Sequence, residues 1–313
     1  MRFSFTQTYL HTSKFKLNMK YFKILWMIIF SVIPMIQACN DSKKDYVITI
    51  KTQYGDMKMV LYDQTPLHKQ NFIELAKKGY YDSLLFHRVI NGFMIQTGDP
   101  DSKGTQPNTK LGNGGPGYTI PAEFVPEIIH EKGAVAAARQ GDNLNPKKES
   151  SGSQFYLVQG KIWSEQELIN SRINYNELYR YFSNLIERES FKHVKDQVAQ
   201  YQNEQNMQAL QDLILNMKDT IEHEYDVELD LPLTTQQIET YTTVGGTPHL
   251  DGAYTVFGRV VDGLEVIDKI ASVQTDPNDR PAVNIMMTIE MEKVPREKIE
   301  QLYDFMYPGM PMK

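Results

Sequence analysis

Over residues 46–160 the apolar positions fall in short alternating or continuous runs separated by glycine- and proline-rich turns, a pattern that predicts strands. Val47-Ile48-Thr49-Ile50 and Met57-Lys58-Met59-Val60-Leu61 read as two strands joined through Tyr54-Gly55-Asp56, a hairpin-type turn. Further strands are predicted over 84–89, 93–97, 133–138 and 154–158, and the same texture returns over 254–260 and 283–290. Two helices interrupt it. Pro66 opens one that runs to residue 78 and stops at Gly79, with Phe72, Leu75 and Ala76 on one face. The other covers 264–270. Many short strands with few helices predict a mainly β fold, a barrel or a sandwich.

Between those halves, residues 161–244 hold no glycine and a single proline, Pro232, which argues against tight β-turns and for helix. Ser164 with Glu167 matches a capping box, and Leu178, Phe182 and Leu185 follow at helical spacing. Phe191, Val194, Val198 and Tyr201, then Met207, Leu210, Ile214, Met217 and Ile221, form a second stripe whose break in phase between Tyr201 and Met207 predicts a bend. Thr234 with Gln237 starts a third, short helix that Gly245 ends. With 7 basic and 15 acidic residues, this block supplies most of the chain's negative charge. It is either a helical hairpin that packs its apolar stripe on itself or on the β part of the chain, with a solvated acidic outer face, or an arm that contacts a client or partner protein.

At the N-terminus Lys20 and Lys23 precede an apolar run over 24–33, about half of the ~20 residues that a membrane-spanning helix needs. A basic flank, a short apolar core and a small residue, Ala38, predict a secretory signal over 1–38. Ile36-Gln37-Ala38-Cys39 is similar to a bacterial lipobox. That similarity implies a diacylated Cys39, anchoring to a membrane of the bacterial cell envelope on its periplasmic or outer side, and a short tether over 39–45. The other reading is a cleaved soluble signal whose cysteine is incidental. Residues 1–18 lengthen the basic leader, so Met19 is the expected start.

Composition adds exclusions. With 41% hydrophobic and 23% charged residues the 313-residue chain is of ordinary globular type. Its net charge of −6 becomes −11 without residues 1–38, which carry five basic side chains and no acid. No nucleic-acid partner is expected from such a balance. Cys39, the single cysteine, rules out a disulfide framework and a thiolate metal cluster.

Gly112-Asn113-Gly114-Gly115-Pro116-Gly117 satisfies GxGxxG, but Pro116 and Pro121 prevent the helix that a dinucleotide loop must open, so it reads as a glycine loop. Histidines 68, 87, 130, 193, 223 and 249 have no metal-ligand spacing, and there is no GxSxG elbow. No metal and no organic cofactor is expected. The run Phe86-His87-Arg88-Val89-Ile90-Asn91-Gly92-Phe93-Met94-Ile95-Gln96-Thr97-Gly98-Asp99 stands out, because period-two alternation directs Arg88 and Gln96, with Phe93 or Met94, toward a shared face. By its residues alone it offers either a fork of donors beside an apolar pocket or a surface arginine on an edge strand.

This run resembles the signature of the cyclophilin family of peptidyl-prolyl cis-trans isomerases. The resemblance continues through residues 115–124, Gly133-Ala134-Val135-Ala136-Ala137-Ala138-Arg139, Ser151-Gly152-Ser153-Gln154-Phe155-Tyr156 and 249–260, in order. It implies a closed eight-stranded β-barrel with two capping helices over 46–160 and 246–295, an α-helical subdomain inserted over 161–245, and a C-terminal tail over 296–313. Carried over by position, Arg88, Phe93 and Gln96 match the catalytic set: Arg88 is the donor, Phe93 with Met94 floors the proline pocket, and Gln96 orients arginine and substrate. Ala138, Arg139 and Gln154 match the flanking groove. Tyr156 stands where phenylalanine is usual, and Leu250 completes the wall. His249 stands where cyclosporin-sensitive members have tryptophan, and Tyr254 where many have histidine. The implied function is isomerisation of Xaa-Pro bonds in proline-containing polypeptides during envelope protein folding. The alternative is a peptide-binding chaperone or scaffold that relies on the helical insertion and has little isomerase activity.

Overall fold

The computed structural model describes residues 44–105 and 109–308; the leader and Cys39 lie outside the described residues. Strands β1 (Lys44–Thr52) and β2 (Gly55–Leu61) form the expected hairpin, with Gly55 at φ 128° paired to Thr52. β1 begins inside the stretch read as a tether, and Asp45 is buried there. Helix α1 (Pro66–Lys77) follows. Thr65 makes no side-chain cap; Glu123 instead accepts the N–H groups of Leu67 and His68, placing a carboxylate at the positive end of the helix.

The predicted strand over 84–89 divides into β3 (Leu84–Leu85) and β4 (Arg88–Ile90). Then come β5 (Met94–Thr97), β6 (Thr119–Ile120), β7 (Ala134–Ala137), β8 (Ser150–Ser151) and β9 (Phe155–Val158). After the helical block come β10 (Val256–Asp262), a helix over Leu264–Ala271 and β11 (Met286–Pro295). β6 and β8 pair separately, and the others form one sheet in the order β3-β11-β1-β2-β10-β7-β9-β5-β4.

This corrects the expected closed eight-stranded barrel. Among the described residues the ladder has nine strands, and β3 and β4 at its two ends do not pair with each other. They are joined by Phe86 and His87, whose N–H groups donate to Ile285 and Gln96 respectively, on the two ends of the sheet. The sheet therefore curls until its edges meet at one chain segment, whose two halves pair outward, β3 with β11 and β4 with β5, rather than with each other.

Strand alternation divides the sheet into two apolar faces. Ile48, Ile50, Met57, Met59, Phe155 and Leu157 point inward to a core with Phe72, Tyr81, Phe86 and Phe257. Val47, Val60, Ala136, Tyr156 and Val158 point to the other face. Part of that face is covered by the C-terminal segment, where Ile299, Phe305 and Tyr307 pack on Val47, Val60 and Val294. Arg296 ties this segment down through ion pairs to Asp45 and Asp63. The residues after 295 thus begin with a packed helix, Arg296–Tyr303.

The block over 161–245 contains six helices: α2 (Glu165–Ser171), α3 (Tyr175–Leu185), α4 (Lys192–Asn203), α5 (Met207–Asn216), α6 (Lys218–Tyr225) and α7 (Thr235–Thr243). The predicted capping box of Ser164 with Glu167 forms, and the helix start read at Thr234 with Gln237 is a second one. The break in phase after Tyr201 is a separation into two helices that pack on each other, with Gln205 at φ 54° between them. Leu178, Phe182, Leu185, Val194, Leu210, Ile214 and Ile221 form a core of their own. The two ends of the block adjoin: Gly246 donates its N–H to Lys161 at 3.0 Å, and a Cβ on Gly160 would lie 2.4 Å from the Gly246 Cα.

Candidate active site

Register builds the site. Arg88 on β4 lies opposite Gln96 on β5, Gln96 opposite Tyr156 on β9, and Tyr156 opposite Ala136 on β7. Directly paired residues share a face, so arginine, amide and phenol line up across three strands. Met94 joins them two residues before Gln96, and Phe93 stands at the strand's entry.

These side chains border a cleft of about 390 Å³ that Ala138, Arg139, Leu250 and Tyr254 complete. Its apolar surface comes from Met94, Tyr156 and Leu250, all buried, with half-buried Phe93 beside them. Arg88 stands at the mouth, 43% exposed. Its Nε donates to Asp279 at 3.3 Å and its Nη1 to Gln96 Oε1 at 3.4 Å. A guanidinium has five N–H donors and these two bonds are long, so donors remain to face the cleft. Gln96 Nε2 donates to Gln154 at 3.0 Å, and Gln154 Nε2 donates to the Gly114 carbonyl at 2.8 Å. This relay sets the amide of Gln96 with its oxygen toward Arg88.

Gln154 lies in an adjoining groove of about 640 Å³ between the glycine loop and residues 138–145. Asp99 shapes that loop by accepting the N–H groups of Gly112 and Gly114. Arg139 has a structural setting: its side chain, 4% exposed, donates to the Ala253 carbonyl at 2.7 Å and to Asp142 at 2.6 Å, and covers the Tyr254 ring. His249 is exposed beside the cleft rather than in its lining, with its ring stacked on Phe93 at 5.6 Å.

Three contributors lay outside sequence reasoning. Asp279 reaches Arg88 from 191 positions away and was given no role. His130 and Asp251 lie behind Tyr156: the His130 ring bonds the Tyr156 hydroxyl through Nε2 at 3.1 Å and Asp251 through Nδ1 at 2.9 Å. The one signal in the sequence was the phenol of Tyr156, since a buried hydroxyl requires a partner. Among the described residues no cluster of three or more His, Cys, Asp and Glu is placed to hold a metal ion.

Buried histidines carry a pH dependence. Burial holds both His68 and His87 below the ordinary histidine range, and for His68 it outweighs the opposing 2.6 Å contact with Glu123. The unfolded chain, with histidines near ~6.5, then binds more protons than the folded one as pH falls below that value. Stability is complete above about pH 6.5 and is lost on acidification. The thermal midpoint is expected to fall from pH ~7.5 to ~5.5, and His87→Phe to reduce that fall. An unchanged slope in that variant would remove His87 from the account.

The family profile of the cyclophilin type peptidyl-prolyl cis-trans isomerase/CLD matches residues 47–219 and 232–291, and the chain belongs to this family. A Streptococcus pyogenes protein, an inferred bifunctional phosphatase/peptidyl-prolyl cis-trans isomerase, is 33% identical over 251 residues, 78% of this chain and 38% of that protein. An inferred peptidyl-prolyl cis-trans isomerase of Staphylococcus aureus is 29% identical over 248 residues, covering 79% of this chain and 91% of that one. A cyclophilin type isomerase of Cryptosporidium parvum of known crystal structure is 20% identical, with a TM-score of 0.45 over 80% of this chain and 99% of its own.

Proposed function

We propose that this chain catalyses cis-trans isomerisation of Xaa-Pro bonds in unfolded or extended proteins of the bacterial cell envelope. The observation that carries the reading is Arg88 at the rim of an apolar cleft, oriented by the Gln96–Gln154 relay. An Xaa-Pro amide resists rotation by roughly 18–20 kcal/mol because its C–N bond has partial double-bond character. At the twisted geometry that conjugation is lost and the prolyl nitrogen becomes pyramidal and basic. A guanidinium donor aimed at its lone pair binds that state better than either planar isomer, which is the requirement for catalysis without a covalent step. Phe93, Met94, Tyr156 and Leu250 hold the ring, while Gln96 and backbone groups near Arg139 hold the flanking peptide. Exchange of a short Xaa-Pro peptide, measured with and without the protein by NMR, tests the reading; no acceleration by folded protein refutes it.

Attachment through a diacylated Cys39 would keep the enzyme at the membrane, since two acyl chains anchor stably where one is marginal. Full-length protein is expected in the membrane fraction, and Cys39→Ser in the soluble fraction or unprocessed. An unmodified Cys39 in the mature protein by mass spectrometry would overturn the anchor. A chaperone role is a second reading, supported by the exposed Ile169, Tyr175 and Tyr179 on the helical block.

A further inference from the structure

The helical block reaches the cleft from behind. Tyr241, fully buried in the last turn of α7, donates its hydroxyl to Asp251 Oδ2 at 2.7 Å. Asp251 Oδ1 accepts both the backbone N–H and the Nδ1–H of His130, each at 2.9 Å. A carboxylate only accepts, so Nδ1 carries the hydrogen, and Nε2 on the far side of the ring bonds the Tyr156 hydroxyl at 3.1 Å. The His130 and Tyr156 rings also stack, at 15°. A continuous hydrogen-bonded chain thus runs from the insert to the cleft floor: Tyr241, Asp251, His130, Tyr156.

A second contact from the insert holds the same turn. Arg172, at the C-terminal end of α2, donates Nη1 to the Pro248 carbonyl at 2.9 Å. Pro248–Leu250 is a single 3-10 turn, and Leu250 is its cleft-facing residue. The turn that supplies the pocket wall is therefore clasped at its first residue by Arg172 and just past its last by Tyr241.

We propose that the helical insert is a positioning element of the prolyl pocket, with Tyr241 and Arg172 fixing the Leu250 wall and the Tyr156 floor. Both phenols remain donors across the ordinary range: burial foremost, with the negative charge of Asp251 adding to it, pushes Tyr241 and Tyr156 upward. Loss of the Tyr241 hydroxyl leaves Asp251 Oδ2 without that donor in a largely buried site, so the carboxylate must turn toward another, taking His130 and Tyr156 with it. The wall and floor grip the proline ring alike in the planar and twisted states, whereas Arg88 acts on the twisted one. The insert's contribution is therefore uniform binding, which appears in KM and leaves kcat nearly unchanged.

The inference rests on the isomerase reading, which the wild-type rate tests separately. Full-length Y241F, Y156F, the double variant Y241F/Y156F and Arg172→Gln are assayed with one short Xaa-Pro peptide, with KM and kcat resolved. Y241F is expected to raise KM about three- to tenfold, the effect of one lost hydrogen bond, and Arg172→Gln to shift KM in the same direction. Because Tyr241 and Tyr156 act through one chain, the double variant is expected to be no worse than the more severe single variant. The His130 imidazole nitrogens should also shift in the NMR spectrum of Y241F. An unchanged KM in both Y241F and Arg172→Gln, an effect confined to kcat, or multiplicative effects in the double variant would each overturn the proposal. So would a lowered thermal midpoint with intact KM, which would leave Tyr241 as packing alone.

Discussion

Arg88→Ala is expected to lower kcat/KM for a short Xaa-Pro peptide by at least tenfold and on the order of 10²-fold, the usual effect of removing one pre-aligned donor to a transition state. The fold should be untouched, because the side chain is half exposed and holds only two long hydrogen bonds. In the proposed mechanism Arg88 meets the prolyl nitrogen only at the twisted geometry, so the loss should fall on kcat while KM changes little. Gln96→Ala should follow in the same direction with a smaller loss, since Gln96 orients the guanidinium rather than replacing it. Full turnover in a folded Arg88→Ala protein would move the donor to another side chain. The contrast with the insert variants is the informative one: Arg88 is expected in kcat, Tyr241 in KM.

Phe155→Ala should produce the largest loss of stability, about 3–5 kcal/mol. The ring is 2% exposed and meets Phe72 edge-on at 5.3 Å and Tyr81 at 5.7 Å, with Phe257 at 6.5 Å. These four aromatics belong to the core inside the curled sheet, where truncating one ring removes its contacts with the other three and leaves a cavity. A fall of roughly 10 °C in the thermal midpoint is expected for a chain of this size, against little change for Leu302→Ala, which is 59% exposed. A fall of only a degree or two would mean that the aromatic cluster can repack. Phe155 adjoins Tyr156 on the opposite face of one strand, so the variant also asks whether the core can loosen while the cleft keeps its shape.

Much of the local structure was legible because its causes are local. The hairpin of β1 and β2, the Pro66 start of α1 and both capping boxes depend on residues within a few positions of one another. The shared face of Arg88 and Gln96 was likewise readable, since alternation along β4 and β5 fixes which side each residue takes and the short connection fixes the pairing. The break after Tyr201 showed as a lost phase before it showed as two helices.

What tertiary structure decided is where distant segments meet. The apolar run over 84–89 reads as one strand, yet its first half pairs with β11 and its second with β5, because the curled sheet offers partners on both sides. Glu123 caps α1 from 55 positions away, and Asp279 reaches Arg88 across 191. The C-terminal helix carries too few apolar residues to declare itself, and it is held by a sheet face that exists only once the strands have paired. Tyr241 is the clearest case: in sequence it is one polar-tipped aromatic in an acidic helical block, and its hydroxyl acquires a destination only when Gly160 and Gly246 bring the ends of that block together behind Asp251. Periodicity and capping are written in neighbouring residues, whereas a hydrogen-bond partner across a folded chain is set by backbone geometry that no local pattern carries.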